Sequence, residues 1–367
     1  MPGDRFRPVD QLGTSSEPLA VVHDVLMLDL DGVVYVGAAP VPDAGRHVAA
    51  ARTAGARIAF VTNNASRPPG AVAAHLRDLG IAVDDADVVT SAQAAARLVS
   101  TMVPPGARVL VVGGDGLNAA LGELSLVAVS SADDDPVAVV QGFDPGLCWG
   151  QLAEGAYAVA RGLPWVASNT DTTVPTARGV APGNGTLVAA IAAATGAKPL
   201  VAGKPEPALF DETVARVGGR HPLVVGDRLD TDIEGANNVG CDSLLVMTGV
   251  TDLAQLVRAD PALRPRYVAP TLEGLLVAHP RVRVDVAADP PSAGCGRRRA
   301  ALRDGDLVVS TVGRAAPDAD DGEDGTADTV AGLRAVVALA WRLTADGGKV
   351  PGVAAAQEWY ESGPGRG

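Results

Sequence analysis

Two carboxylates stand two residues apart after a short apolar run: Val25-Leu26-Met27-Leu28 leads into Asp29-Leu30-Asp31-Gly32. An apolar run of this length before a glycine reads as a buried parallel strand. Side chains alternate along a strand, so Asp29 and Asp31 share a side if the backbone stays extended. Gly32 lets the chain turn sharply and pass close to a ligand. One carboxylate of such a pair can attack phosphorus and carry the phosphoryl group covalently. The other can protonate the leaving alcohol and then deprotonate water. Three later segments supply what this chemistry still needs. Thr62-Asn63-Asn64 follows the apolar run Ile58–Val61 and offers hydroxyl, amide and backbone donors. Lys204 follows Pro199–Ala202 and offers a cation for phosphoryl oxygens. Asp227 follows Leu223-Val224-Val225 and opens an acidic turn through Asp230 to Asp232. It makes a third carboxylate, and carboxylates with a carbonyl and waters suit Mg²⁺.

Each segment has a plainer reading by itself. The aspartate pair is a solvated turn, Lys204 a loop lysine, Thr62-Asn63-Asn64 ordinary turn chemistry, and Asp227 a helix cap. Their order decides against this. All four end a predicted strand, and an open α/β sheet places its chemistry at the carboxyl ends of its strands.

The elements that must position these groups alternate along the chain. Strands are expected at Val21–Leu30, Arg57–Val61, Val88-Val89, Pro199–Ala202, Leu223–Val225, Ser243–Met247 and Tyr267–Ala269, with helices such as Pro42–Ala54, Ser91–Ser100 and Pro207–Val217 between them. That alternation predicts a doubly wound parallel α/β core. Pro104-Pro105-Gly106 breaks it. Residues 106–197 have an alternation of their own and read as an inserted α/β cap. The core is then 21–105 and 198–280, after a loose lead-in at 1–20. Residues 281–367 form a small C-terminal extension. In it, Pro317–Asp328 carries six acids and reads as a disordered loop, and Thr329–Thr344 reads as an amphipathic helix.

Bulk properties exclude several classes. Of 367 residues, 30 are Lys or Arg and 43 Asp or Glu, a net charge of −13. This argues against nucleic-acid and anionic-membrane partners. Cys148, Cys241 and Cys295 are scattered with no CxxC spacing, which fits a reducing compartment. No secretory leader and no apolar run of about 18 residues is visible, so a cytoplasmic location is expected. The five histidines are dispersed and none ends a strand beside the acids. Val111-Val112-Gly113-Gly114-Asp115-Gly116 looks like half a dinucleotide fingerprint, but no convincing acid sits at a second strand end, and scaffold is the better reading.

With these motifs assembled, the sequence resembles the haloacid dehalogenase superfamily of aspartate-nucleophile phosphatases. Asp29-Leu30-Asp31-Gly32 fits the first motif, Thr62-Asn63 the second, Lys204 the third, and Asp227 to Asp232 the fourth. The insert resembles the large α/β (C2-type) cap of phosphoglycolate and 4-nitrophenyl phosphate phosphatases. Ser168-Asn169-Thr170-Asp171 and Pro182-Gly183-Asn184-Gly185 fit as well. Within the family the chain is similar to bacterial glycerol-3-phosphate phosphatases that carry a C-terminal extension. The resemblance covers about residues 20–275. It implies Asp29 as nucleophile and Asp31 as general acid/base. It implies Mg²⁺ held by Asp29, the Asp31 carbonyl and Asp227, with Asp232 supporting them from behind. Thr62, Asn63 and Lys204 would bind phosphate, with Asn64 beside them. Extensions of such relatives can look like acetyltransferase fragments, but this one has no Arg/Gln-x-x-Gly-x-Gly/Ala loop, so a packing or assembly role is expected.

The expected activity is Mg²⁺-dependent hydrolysis of a small phosphorylated metabolite, glycerol 3-phosphate first. 2-Phosphoglycolate or a sugar phosphate is the enzymatic alternative, and a regulatory protein that binds a phosphometabolite the non-enzymatic one. A homodimer through the cap or the tail is the expected assembly. The cap stretch Asn169 to Asn184 is expected to be a roof of short loops, with Pro175, Gly179, Pro182 and Gly183 as turn residues. It offers Thr172, Thr173, Val174 and Arg178 but no aromatic side chain, which favours a short polyol over a nucleobase or pyridoxal leaving group.

Overall fold

A computed structural model describes residues 6–176, 178–312, 321–345 and 347–362, with the side chains of Pro175 and of 321–324 left out. The chain divides into two compact units. The first comprises Met1–Val36, Pro40–Ile58 and Gly219–Gly367, the second Gly37–Ala39 and Ala59–Gly218.

In the first unit four parallel strands lie in the order Tyr267–Ala269, Asp242–Val246, Pro222–Gly226, Val25–Leu28. Val25 to Leu28 are at most 1 % exposed, as expected of a strand covered on both faces. Leu28 pairs with Val225, and the Asp29 N–H extends the ladder to the Val225 carbonyl at 2.9 Å. The strand is shorter than the predicted Val21–Leu30. Val21 and Val22 belong to a helical turn, Leu19–Val22, whose first carbonyl acceptor is Pro18. Past Leu28 the backbone does not stay extended. The Leu30 carbonyl accepts the N–H groups of Val33, Val34 and Tyr35 and turns the chain.

The lead-in is not loose. Val9 and Leu12 are buried, Arg7 N–H donates to Asn237 O at 3.0 Å, and Gly13 N–H donates to Arg266 O at 2.7 Å. Two buried apolar side chains and these backbone hydrogen bonds anchor it together. The C-terminal extension also belongs to this unit. Four antiparallel strands, Arg283–Asp285, Ser292–Cys295, Arg298–Arg303 and Asp306–Thr311, pack against the helices Asp321–Thr344 and Ala354–Glu361. Leu333, Val336, Val337 and Trp341 share one apolar cluster with Leu245, Met247, Leu256 and Val268 from the parallel sheet and its helices. Of the predicted loop Pro317–Asp328, residues 317–320 lie outside the described residues, but from Asp321 on the chain is helical. Acidic residues suit the first turn of a helix, where the macrodipole is positive.

The strand Arg57–Thr62 begins in the first unit and ends in the second, where it pairs in parallel with Val88–Thr90. Thr90 and Gln93 form a capping box that starts the helix Ser91–Ser100. A separate parallel sheet runs in the order Leu200–Val201, Trp165–Ala167, Ala138–Gln141, Arg108–Val112, Val127–Val129. Its order reverses at Arg108–Val112, and beyond the carboxyl ends of Arg108–Val112 and Ala138–Gln141 such a sheet has its ligand crevice. Here the loop Ala65–Arg67 fills it. Gly116 N–H donates to Ser66 O at 3.3 Å, and a β-carbon on Gly116 would stand 2.3 Å from Ala65 O. The glycine-rich turn 113–116 is therefore packing scaffold. The expected roof of loops is instead an antiparallel hairpin, Thr173–Thr176 with Gly179–Pro182. Among the described side chains its strands bury none, with Val180 77 % exposed, so no alternating pattern marks them in the sequence.

Candidate active site

Asp29 and Asp227 of the first unit sit where parallel strands end. Asp29, Asp227 and Asp232 each present a carboxylate oxygen, and these three oxygens lie within 4.8 Å of one another. Asp227 and Asp232 are 1 % exposed. Asp227 follows its strand directly, and its Oδ2 accepts the Val250 N–H at 2.6 Å. Asp232 stands on a wide helical turn, Leu229–Ile233, and accepts the Arg228 N–H at 3.3 Å. Glycines make the room. A β-carbon on Gly32 would lie 2.4 Å from Asp227 Oδ2, one on Gly249 2.0 Å from it, and one on Gly226 2.2 Å from Asp232 Cβ. Gly32 also has φ +81°, which a side chain rarely adopts. Asp31 is exposed and does not join the three-carboxylate cluster with its side chain. It lies on the turn just beyond, where Gly32 N–H donates to Tyr35 O at 2.8 Å.

Three carboxylates at this spacing, two of them buried, repel one another unless a cation sits among them. All the donors are oxygens, the class that a small hard dication takes. The residues therefore fit Mg²⁺. The structure brings Asp232 as close as the other two acids.

The other predicted residues lie in the second unit. Thr62 is buried, and its hydroxyl accepts the Asn64 N–H at 3.1 Å. The Asn63 side chain grips the backbone of Lys204: Oδ1 accepts Lys204 N–H at 2.8 Å and Nδ2 donates to Lys204 O at 3.1 Å. Asn64 Oδ1 accepts from Ser66 N–H at 2.8 Å and Ser66 Oγ at 2.7 Å, which closes the loop on itself. Lys204 is 4 % exposed, with Nζ 3.5 Å from Val61 O. Thus Asn63 and Lys204 come together from positions 141 apart in sequence, with the buried Thr62 next in the chain, while the Asn64 side-chain oxygen is spent on its own turn.

The matches to known proteins follow this geometry. The profile of the haloacid dehalogenase-like hydrolases matches residues 26–126, and a HAD-hydrolase-like profile matches residues 201–275. A D-glycerol 3-phosphate phosphatase of Mycobacterium tuberculosis is 50 % identical over 257 residues, 70 % of this chain and 72 % of that one. The chain belongs to the haloacid dehalogenase-like hydrolases. Among other members, an acid sugar phosphatase of Staphylococcus aureus is 35 % identical over 233 residues, 63 % of this chain and 89 % of its own. The crystal structure of a glycerol phosphate phosphatase from M. tuberculosis in complex with magnesium aligns with a TM-score of 0.77 at 40 % identity, over 94 % of this chain and 98 % of that one. The first unit of this hydrolase holds four of the strands predicted for the parallel core, but Leu200–Val201, predicted with them, instead pairs with Trp165–Ala167 at the edge of the second unit's sheet.

Sequence reasoning missed Thr248-Gly249-Val250. Thr248 Oγ1 donates to Gly32 O at 2.5 Å, and the next two residues seat Asp227. The signal was there, since a glycine again follows an apolar strand, Asp242–Val246.

Proposed function

We propose that this chain is a Mg²⁺-dependent phosphomonoesterase. The observation that carries the reading is the convergence of Asp29 and Asp227, at the ends of parallel strands, with Asp232 on the helical turn after Asp227. An Asp29 oxygen attacks phosphorus, and the bond from phosphorus to the leaving oxygen breaks. The Asp31 carboxyl gives its proton to that oxygen, which departs as an alcohol. The Asp31 carboxylate then takes a proton from water, whose oxygen attacks the same phosphorus. The bond to Asp29 breaks and inorganic phosphate is released. Lys204, Thr62 and the backbone at Asn63 bind phosphoryl oxygens, while Asn64, whose N–H is given to Thr62 Oγ1, shapes the loop. Asp29, Asp227 and the Asp31 carbonyl, with Asp232 close by, would hold Mg²⁺, which would offset the negative charge of carboxylates and phosphoryl group.

For the substrate we take glycerol 3-phosphate. The M. tuberculosis relative bears that name, and residues 169–184 contain no aromatic side chain to stack on a base. The core is 21–105 with 202–280 and the cap 106–201, since Leu200–Val201 pairs with Trp165–Ala167 and not with the core strands. The charge of −13 and the free cysteines support a cytoplasmic protein without nucleic-acid or anionic-membrane partners. A homodimer through cap or tail remains part of the reading. The test is a panel of glycerol 3-phosphate, 2-phosphoglycolate, sugar phosphates and 4-nitrophenyl phosphate, with and without Mg²⁺. The highest kcat/KM should fall on glycerol 3-phosphate. A preference for a sugar phosphate moves the substrate to that of the S. aureus relative, and no turnover of any ester leaves a phosphometabolite-binding protein.

A further inference from the structure

The carboxamide of Asn63 has one acceptor and two donor hydrogens to place. Its oxygen takes the Lys204 N–H and its nitrogen gives to the Lys204 carbonyl. Both ends of one residue's backbone are held, as in a strand ladder, and the Cα that carries the lysine stem is fixed between them. The same nitrogen also donates to Asp171, at 3.3 Å from each carboxylate oxygen. Only one orientation of the carboxamide serves all three partners. Turned over, it would set its oxygen against both the Lys204 carbonyl and the Asp171 carboxylate. Asp171 thus locks the orientation in which Asn63 can grip Lys204.

Asp171 is itself built in. Its N–H donates to Asn169 Oδ1 at 3.1 Å, Asn169 Nδ2 donates to Asn63 O at 2.6 Å, and the buried Asn184 donates to Asn169 O at 2.7 Å. Ser91 Oγ holds the Asn63 carbonyl from another side at 2.6 Å. Next to Lys204, a β-carbon on Gly203 would stand 2.5 Å from Ser168 O and 2.6 Å from Asn63 Oδ1. The segment has no slack.

We propose that Asn63 and Asp171 are positioning residues that act on the reaction through Lys204, Asp171 by way of the Asn63 carboxamide. This rests on the reading of Lys204 as the phosphate-binding cation. It gives the Asn63 side chain a role other than phosphate contact, and it gives Asp171, which opens the hairpin stretch, no contact with the leaving group.

The test uses the full chain with Mg²⁺ and the variants Asp171→Ala, Asp171→Asn, Asn63→Ala and the double alanine variant. Displacing a reacting group by an ångström costs up to about 100-fold. Asp171→Ala should lower kcat/KM for glycerol 3-phosphate and for 4-nitrophenyl phosphate by the same factor, about 10-fold, and weaken inhibition by inorganic phosphate in step. Asp171→Asn keeps an acceptor oxygen and should restore most of the activity. Asn63→Ala should cost about 100-fold, and the double variant no more, because the two act in series. A changed preference between the two esters with inhibition by inorganic phosphate intact would mean that Asp171 touches the leaving group, and would overturn the proposal. Amide hydrogen exchange at Lys204 reads the clamp without activity. Exchange should speed up in Asn63→Ala while global melting holds, and unchanged protection refutes the clamp. A wild-type chain that hydrolyses no ester, with Lys204 protection still dependent on Asn63, would sink the phosphatase reading alone.

Discussion

At the scale of single residues the site depends on where carboxylates are and on what leaves them room. Asp29→Asn should abolish turnover, because an amide is a poor nucleophile. Asp31→Asn should lose about 100-fold or more through the missing proton transfer. Rapid quench followed by peptide mapping should find phosphate on Asp29, and label on any other residue would refute the assignment. Gly249 makes a finer test. It takes no part in the chemistry, yet a methyl group there would meet Asp227 Oδ2 at 2.0 Å. Gly249→Ala should raise the Mg²⁺ concentration for half-maximal activity about tenfold or more, with the fold intact by circular dichroism. An unchanged Mg²⁺ requirement would show that Asp227 does not need its seat.

At the scale of elements the extension is bound into the first unit. Trp341 is 1 % exposed, donates its indole N–H to Leu256 O at 3.0 Å, and lies under the Arg264 guanidinium at 4.8 Å. Trp341→Ala should cost about 3–5 kcal/mol in urea unfolding. Ending the chain at residue 280 should give an insoluble or molten product, since it uncovers Leu245, Leu256 and Val268. A soluble truncation with a cooperative melt would contradict this. At the same junction His279 donates Nε2–H to Gly274 O at 2.8 Å and faces the buried Arg334 with Nδ1 at 3.3 Å. Burial pushes its pKa down to about 4, with Arg334 helping, although the Gly274 bond opposes this. Below pH 6.5 the unfolded chain binds a proton that the folded chain does not. Stability should therefore fall, by about 3 kcal/mol, as the pH drops from about 6.5 to about 4. His279→Gln should flatten that slope in acid melts. Burial lowers His23 and His47 as well, so part of the slope should remain. The catalytic strands were legible because each is a short apolar run cut off by Gly, Asp or Thr. Arg298–Arg303, which reads RRAALR, and the exposed hairpin strands have no such signature. Their pairing is local, as when Ala300 meets Val309 across the turn at Asp304-Gly305, so for Arg298–Arg303 the signal lay in that Asp-Gly turn and not in an apolar run.

At the scale of the whole molecule, 13 excess negative charges and a carboxylate cluster make cation binding a contribution to folding itself. A ligand that binds only the folded state stabilises it by about 2.7 kcal/mol at a hundred times its Kd. Mg²⁺ should raise the Tm, EDTA should reverse the rise together with the activity, and Asp227→Ala should remove the response. A Tm indifferent to Mg²⁺ in the active protein would contradict the site. The crevice of the second sheet has a different consequence. Because Ala65–Arg67 already sits there, Gly116 is held as tightly as an active-site residue, and Gly142 stands 3.1 Å by its β-position from Ala65 Cβ. In a saturation-mutagenesis map these two positions should be depleted of every other amino acid, as deeply as Asp29. A survey that ranks residues by intolerance alone would then draw a nucleotide site onto this turn, when what it had found was the seat of a loop.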